Sequence, residues 1–215
     1  PSVYSLKSFK DIKEYCNEKE IRLCDYVFET EPDIWEYLED VWEYMCASIK
    51  AGLKATGILP GGLGVQRKAE VLFKQKHIDE APETRESRMV CSYAFAVAEQ
   101  NAAGGVIVTA PTCGACGVVP AVLYYMQQKH SFENERIIKA LATAGLIGNL
   151  IKSNASISGA ECGCQAEIGS ACSMGAVALA ELFEMDIDQI EYASEIAIEH
   201  HLGLTCDPIK GLVQI

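Results

Sequence analysis

Cysteine is the residue type in this sequence best suited to chemistry, because ten cysteines occur among 215 residues. Cys113-Gly-Ala-Cys116 has the CxxC spacing of zinc and redox sites, and Cys162-Gly-Cys164 forms a second, closer pair. The first residues lack the pattern of a secretory leader, which favours a metal, a cluster or redox chemistry over disulfides. A zinc site usually has two CxxC motifs and a thioredoxin-like site follows a strand. Neither context is present here, so the motif does not select either use, and both stay as alternatives.

Cysteines that lie far apart in sequence can also meet on one metal cluster. Cys164 and Cys206 lie in segments with loop character, whereas Cys172 lies in an apolar stretch typical of a buried helix. Spacing alone does not decide whether such residues converge. Free cysteine is also a good small core residue, so Cys46 and Cys91, on apolar helical faces, are interpreted as packing.

Two pairs of neighbouring polar residues complete the candidate set. His200 and His201 are adjacent, so at most one of them faces a given site. An imidazole there could act as a general acid or base, or could simply interact with the end of a helix. Arg67 and Lys68 directly follow a glycine-rich segment, and they are either a solvated basic pair or an anchor for a carboxylate.

Three glycine-rich segments separate the helical stretches and are the places where a ligand could meet the backbone. They cover residues 57–64, 111–117 and 156–165. Glycine lets the backbone approach a ligand closely and turn its N–H groups towards it. Because rigid elements would hold these loops in place, the sequence predicts an active site built from them.

The elements that must position the loops are helices. Apolar residues at positions 34, 38, 41, 42 and 45 recur at helical spacing, as do those at 89, 93, 96 and 97. Residues 117–128 and 134–151 predict two further helices. The second is apolar nearly all round, so we expect it to be central and closely packed.

The C-terminal third and the few β-branched residues complete the fold prediction. Asp186 followed by Gln189 predicts an N-capped helix that runs to about His201. Residues 106–109 are the only β-branched run, and they are short and flanked by Gly and Pro. We therefore expect an all-α fold, a single compact helical domain over residues 1–215 with glycine-rich active-site loops.

The composition excludes several classes of function. Lys and Arg number 18 against 30 Asp and Glu, which gives a net charge of −12. Without a basic patch, such a surface repels phosphate backbones and anionic lipids, so no nucleic-acid or membrane partner is expected. No stretch reaches the roughly 20 apolar residues of a membrane helix. We expect a cytoplasmic protein.

Four motifs in order resemble the catalytic domain, or alpha chain, of the iron–sulfur-dependent bacterial L-serine dehydratases. The resemblance covers nearly the whole chain and is strongest from Gly57 onward. The motifs are Ile-Leu-Pro-Gly-Gly-Leu at 58–63, Thr-Ala-Pro-Thr-Cys-Gly-Ala-Cys-Gly-Val-Val-Pro-Ala-Val-Leu at 109–123, Asn-Ala-Ser-Ile-Ser-Gly-Ala-Glu-Cys-Gly-Cys-Gln at 154–165 and Glu-His-His-Leu-Gly-Leu-Thr-Cys-Asp-Pro at 199–208.

The resemblance implies a 4Fe–4S cluster that is held by three cysteines and keeps one iron open for substrate. Cys164 matches the first ligand, in Gly-Cys-Gln, and Cys206 matches the second, in Thr-Cys-Asp-Pro. The third belongs to a Pro-Cys motif that directly follows residues 212–215. The family also has an α/β domain, fused or as a separate beta chain. We therefore expect the chain to be a fragment, and we expect the protein to form a homo-oligomer.

The implied reaction converts L-serine into pyruvate and ammonia by α,β-elimination at the open iron, a step of amino-acid degradation and gluconeogenesis. The glycine loops would bind the serine carboxylate and Arg67 would assist them. The candidate base is His200, unless the α/β domain supplies it. The residues expected at the substrate are Thr112, Cys113, Gly114, Ser156, Ser158, Gly159 and Arg67.

Two departures from the family and two alternative functions stay open. The family often has Asn at the position of Cys113 and an aliphatic residue at that of Cys162, which lies close enough to Cys164 to oxidise or to replace it as a ligand. One alternative is a related cluster lyase that acts on cysteine or threonine. The other is a non-catalytic zinc or thiol module built on Cys113, Cys116, Cys162 and Cys164.

Overall fold

A computed structural model describes residues 3–212 of the chain. This part folds into helices joined by loops, and between residues 3 and 212 it contains no β-strand, only the isolated bridges Ile58–Gln66 and Ile209–Leu212. The all-α prediction is thus confirmed. The helices are α1 (Phe9–Lys19), α2 (Leu23–Thr30), α3 (Ile34–Gly52), α4 (Ala69–Lys74), α5 (Pro82–Ala102), α6 (Val118–His130), α7 (Asn134–Asn154), α8 (Gly159–Cys162), α9 (Cys164–Leu182) and α10 (Ile187–Glu199).

Helices α7 and α9 form the centre of the molecule. Both are rich in Ala and Gly, and small side chains let neighbouring helices approach closely. At Gly148 of α7, a Cβ atom would lie 2.8 Å from the Sδ atom of Met174 on α9. The prediction that the helix over residues 134–151 is central and closely packed is therefore confirmed, and the helix extends three residues further.

The remaining predicted helices also form, with ends that follow from local chemistry. Asp186 caps α10, accepting a hydrogen bond from the Gln189 N–H at 2.8 Å, while the Gln189 side chain accepts one from the Asp186 N–H at 3.0 Å. The helix predicted over residues 117–128 starts one residue later and ends at His130. Residues 106–109 form no strand, because no neighbouring segment pairs with them.

A second layer packs helix α3 against α5 on one side of the molecule. At Gly52, a Cβ atom would lie 2.2 Å from the carbonyl oxygen of Ala96, so the two backbones touch directly. Ile49 and Tyr93 are buried beside this contact. Cys91, expected to be packed, is instead exposed on α5 because it lies outside the face that packs on α3.

A buried carboxylate connects the N-terminal helices to the centre. Glu181 of α9 accepts a hydrogen bond of 2.6 Å from Arg22 Nε and one of 2.9 Å from the Thr143 hydroxyl. The Cys24 thiol also contacts it at 3.6 Å. Burial raises the pKa of this thiol to about 12, and the negative charge of Glu181 adds to the shift. The segment from α1 to α2 is thus attached to α9 by polar as well as apolar contacts.

None of the helices in the described part of the chain combines the length and the apolar character that crossing a membrane requires.

Candidate active site

The first glycine-rich segment, residues 57–64, is held against α5 by a buried glutamate. The Glu99 Oε1 atom accepts hydrogen bonds from the backbone N–H groups of Lys68, at 2.5 Å, and Ala69, at 3.1 Å. The Arg67 N–H donates to the Gly57 carbonyl at 2.9 Å and closes the loop. The loop and the residues that follow it therefore have a fixed position relative to the core.

Arg67, the expected carboxylate anchor, is largely buried in this loop. Its Nη1 atom lies 3.9 Å from Oε2 of Glu99, and their side chains are 12% and 2% exposed. Both atoms are buried and have no hydrogen-bond partner among the described residues. Arg67 is thus no solvated surface cation, and it still has a donor available for a ligand.

The second segment, residues 111–117, lies between α5 and α6. The Asn101 side chain fixes it by donating a hydrogen bond of 3.1 Å to the Cys113 carbonyl. The Thr112 hydroxyl is buried without a hydrogen-bond partner among the described residues. Buried polar groups in proteins are nearly always paired, so this hydroxyl is available to hydrogen-bond a ligand.

The third segment, residues 156–165, contains the short helix α8 and the start of α9. The Ser156 hydroxyl accepts a hydrogen bond from the Ser158 N–H at 3.1 Å and contacts the Glu161 carboxylate at 2.5 Å. Gly163 connects the two helices with a φ of +77°, a conformation that favours glycine. The sharp turn places the exposed Cys162 before it and Cys164 after it.

Glu167 brings the second and third segments together. A Cβ atom at Gly114 would lie 3.0 Å from both carboxylate oxygens of Glu167, and one at Gly159 would lie 2.6 Å from Oε2. The sequence analysis missed this residue, because a glutamate in a helical stretch usually faces solvent. Its position one helical turn after Cys164 was the available signal.

Cys164 and Cys206, the two expected cluster ligands, meet in the structure. The two thiols lie close enough that the Cys206 side chain, together with partial burial, raises the pKa of Cys164. They come from the start of α9 and from the loop after α10. Gln165 stabilises this arrangement, because its Oε1 atom accepts a hydrogen bond of 2.7 Å from the Gly203 N–H.

The two histidines lie at the end of α10 and differ in their surroundings. His200 is exposed, whereas the Cβ atom of His201 lies 3.4 Å from the position that a Cβ atom at Gly169 of α9 would occupy. Each Nδ1 atom lies next to a backbone carbonyl, at 2.8 Å from Ile196 O and 2.6 Å from Ala197 O. Because a carbonyl only accepts, Nδ1 carries the proton and Nε2 of the neutral ring keeps a free lone pair.

The other loop cysteines do not form a metal-ligand set in the described part of the chain. Cys113 and Cys162 are exposed and Cys116 is buried. Burial raises the pKa of Cys116 to about 11, so its thiol is protonated at neutral pH. Within residues 3–212, no three His, Cys, Asp or Glu side chains are grouped to hold a metal ion. Residues 213–215, after which the resemblance places a third cysteine ligand, lie outside the described residues.

Comparison with known proteins identifies the family. The family model of the serine dehydratase alpha chain matches residues 5–215. An L-serine dehydratase of Streptomyces coelicolor is 50% identical over 186 residues, which are 86% of this chain and 41% of that protein. An L-serine dehydratase of Haemophilus influenzae is 45% identical and L-serine dehydratase 1 of Escherichia coli is 44% identical, each over 99% of this chain and 49% of the relative. The chain thus spans about half the length of these relatives or less, and it belongs to the serine dehydratase alpha chain family.

Proposed function

We propose that this chain is the catalytic part of an L-serine ammonia-lyase, which converts L-serine into pyruvate and ammonia by α,β-elimination. The observation that carries the proposal is the meeting of the Cys164 and Cys206 thiols at the start of α9. Family membership supports the same activity, because the relatives are named L-serine dehydratases.

In this proposal, Cys164 and Cys206 provide two of the three thiolate ligands of a 4Fe–4S cluster. Their chemistry fits, since such clusters are held by cysteine thiolates and both residues are free and partly accessible. The third ligand belongs to the Pro-Cys motif that follows residues 212–215 in the family. When bound, the cluster supplies an open iron that can act as a Lewis acid on the serine hydroxyl oxygen.

The side chains and backbone of the loops bind and orient the substrate. The unpaired Arg67 Nη1 and Thr112 Oγ1 atoms support a site for the serine carboxylate, because both can donate to an anion and both are buried. Gly114 and Gly159, whose backbones lie against the Glu167 carboxylate, belong to the same proposed substrate site. Ser156, Ser158 and Cys113 contribute polar groups at the rim of the site.

The chain also offers a base for the α-proton. We assign His200, because its Nε2 atom has a free lone pair when the ring is neutral and its exposed position leaves this atom open to a substrate. We further propose that an α/β partner domain or beta chain covers the site, that the protein is a homo-oligomer and that it acts in the cytoplasm, in amino-acid degradation and gluconeogenesis.

The test is the iron and acid-labile sulfide content of the complete protein, purified without oxygen. Cys164→Ala and Cys206→Ala should each lose the cluster and the formation of pyruvate from L-serine, with an unchanged helical circular dichroism spectrum. Cys172→Ala on α9 is the matched control and should keep both. Normal iron in Cys164→Ala, or zinc in place of iron in the wild type, would overturn the ligand assignment.

A substrate comparison tests the reaction itself. L-Serine should be turned over faster than L-threonine and L-cysteine, and activity should disappear together with iron when air is admitted. Preference for L-cysteine would point to the related cluster lyase. Bound zinc without lyase activity would point to the thiol module.

A further inference from the structure

Glu167 lies between the second and the third glycine-rich segments, residues 111–117 and 156–165. It is on α9, one helical turn after Cys164, so the two side chains project from the same face of the helix. Glu167 thus lies next to one of the proposed cluster ligands.

The backbones of both loops lie directly against this carboxylate. A Cβ atom would lie 3.0 Å from the Glu167 oxygens at Gly114, and 2.6 Å from one of them at Gly159. Contacts shorter than about 3 Å between a carbon and an oxygen are repulsive. The two glycines therefore form a slot around the carboxylate group, and any side chain at Gly159 would displace it.

The carboxylate has no cationic partner in this slot. Among residues 3–212, no Lys, Arg or His forms an ion pair with Glu167, whereas the buried or half-buried Glu80, Glu99 and Glu181 each have one. Glu167 is itself half-buried. A half-buried negative charge without a partner is unfavourable, and a ligand with a positive charge would relieve it.

An amino-acid substrate carries one such group. Its carboxylate is matched by the unpaired donors of Arg67 and Thr112, and Thr112 is only two residues from Gly114. The α-ammonium group, in contrast, needs an acceptor. We propose that the Glu167 carboxylate binds the α-ammonium group of the amino-acid substrate, and this inference rests on the proposed function.

The binding role also explains why a carboxylate and not an amide stands at this position. A charge-assisted hydrogen bond keeps the α-amino group protonated, and a protonated amino group makes the neighbouring α-proton more acidic. Glu167 would thus orient the substrate and favour removal of the α-proton without exchanging a proton itself.

The test compares two ligands that differ only in the amino group. L-Serine has it, whereas 3-hydroxypropionate lacks it and should act as a competitive inhibitor. In the complete, iron-loaded protein, Glu167→Gln should raise the KM for L-serine by about 10- to 100-fold, the range of one lost charge-assisted hydrogen bond. The inhibition constant of 3-hydroxypropionate should stay within about twofold, because the carboxylate and hydroxyl contacts remain.

Calorimetric binding of L-alanine, which cannot lose a hydroxyl group, provides a readout that does not depend on turnover. Its affinity should fall in Glu167→Gln by the same factor as the KM rises. Glu195→Gln on α10 is the matched control and should leave both values unchanged. Gly159→Ala, whose Cβ atom displaces the carboxylate, should lower the affinity for L-alanine and leave the inhibition constant of 3-hydroxypropionate unchanged. This second variant keeps the test valid if Glu167→Gln fails to fold.

The outcomes separate this inference from the proposed function. An unchanged KM and L-alanine affinity in Glu167→Gln, or an equal loss for 3-hydroxypropionate, would overturn the assignment of Glu167 while the lyase activity of the wild type stands. An iron-loaded wild type that makes no pyruvate from L-serine would overturn the proposed function, and the inference with it.

Discussion

Glu99→Ala tests how the loop that carries Arg67 is held in place. In the wild type, one carboxylate oxygen of Glu99 accepts hydrogen bonds from the backbone N–H groups of Lys68 and Ala69. Removing the carboxylate leaves both donors without their acceptor and leaves Arg67 without a nearby opposite charge. An unpaired buried donor costs about 1–3 kcal/mol, and because the Lys68 N–H is only partly buried we expect a total loss of about 2–5 kcal/mol in the free energy of unfolding.

The assay is thermal unfolding of the 215-residue chain at pH 7, followed by circular dichroism. For a domain of this size, the expected loss lowers Tm by about 4–20 °C. Glu99→Gln keeps one acceptor oxygen in the same place, so its Tm should fall by less. Glu195→Ala, at an exposed position of α10, is the control and should shift Tm by no more than about 2 °C.

Trypsin provides a local readout of the same change, because it cleaves after Arg67 and Lys68. A released loop should be cut at these two positions several times faster in Glu99→Ala than in the control, under conditions where both remain folded. A Tm within about 2 °C of the wild type, together with unchanged cleavage, would refute the view that Glu99 holds the loop.

Two further predictions concern the stability of the scaffold. Arg88 donates paired hydrogen bonds of 2.6 and 2.7 Å to Glu80 and lowers the pKa of this carboxyl group. The pair therefore stabilises the fold above the unfolded-state pKa of about 4.3, and this contribution is lost as the pH falls through the lower folded-state pKa. In Arg88→Met, Tm should therefore fall less than in the wild type when the pH is lowered from about 4.5 to about 3. An equally large fall of Tm in both proteins would contradict this. Gly52→Ala would place a Cβ atom 2.2 Å from the Ala96 carbonyl oxygen and should force α3 and α5 apart, at about 1–3 kcal/mol or about 2–12 °C in Tm. Gly145→Ala on α7, which meets nothing within 4 Å, is the control and should keep or raise Tm.

The helices could be predicted from sequence where local chemistry determines them. Asp186 and Gln189 are three residues apart and cap each other, so the start of α10 is visible in the sequence alone. The stretch that forms α7 is apolar nearly all round, and this pattern by itself predicts a buried helix. The first two helices were not predicted. In α1, only Ile12 and Cys16 are buried, so its sequence is mostly polar and lacks a clear apolar stripe.

The sequence indicates which residues could form the candidate active site, but it does not indicate which of them contact one another. The motif resemblance indicated Cys164 and Cys206, and their thiols do meet across a gap of more than forty residues in sequence. The pairing of Arg67 with Glu99 on α5 depends on how a loop lies against a distant helix, so no local pattern reveals it. Glu167 was missed because its neighbours Gly114 and Gly159 come from different loops that only the folded chain brings together.

The buried Glu181 has a consequence for the order in which this chain can fold during synthesis. Its partner Arg22 precedes it by 159 residues, so the anchoring acceptor of the N-terminal helices is made long after the helices themselves. At about 5–20 residues per second, the ribosome needs on the order of 10–30 s to reach it. Until then, water alone solvates the Arg22 guanidinium, and the apolar face of α2 stays uncovered at least until α7 is made. We therefore expect the N-terminal segment to stay accessible to chaperones until α7 and α9 have emerged, and a ribosome stalled before Glu181 should present an N-terminal segment that is easily digested by protease.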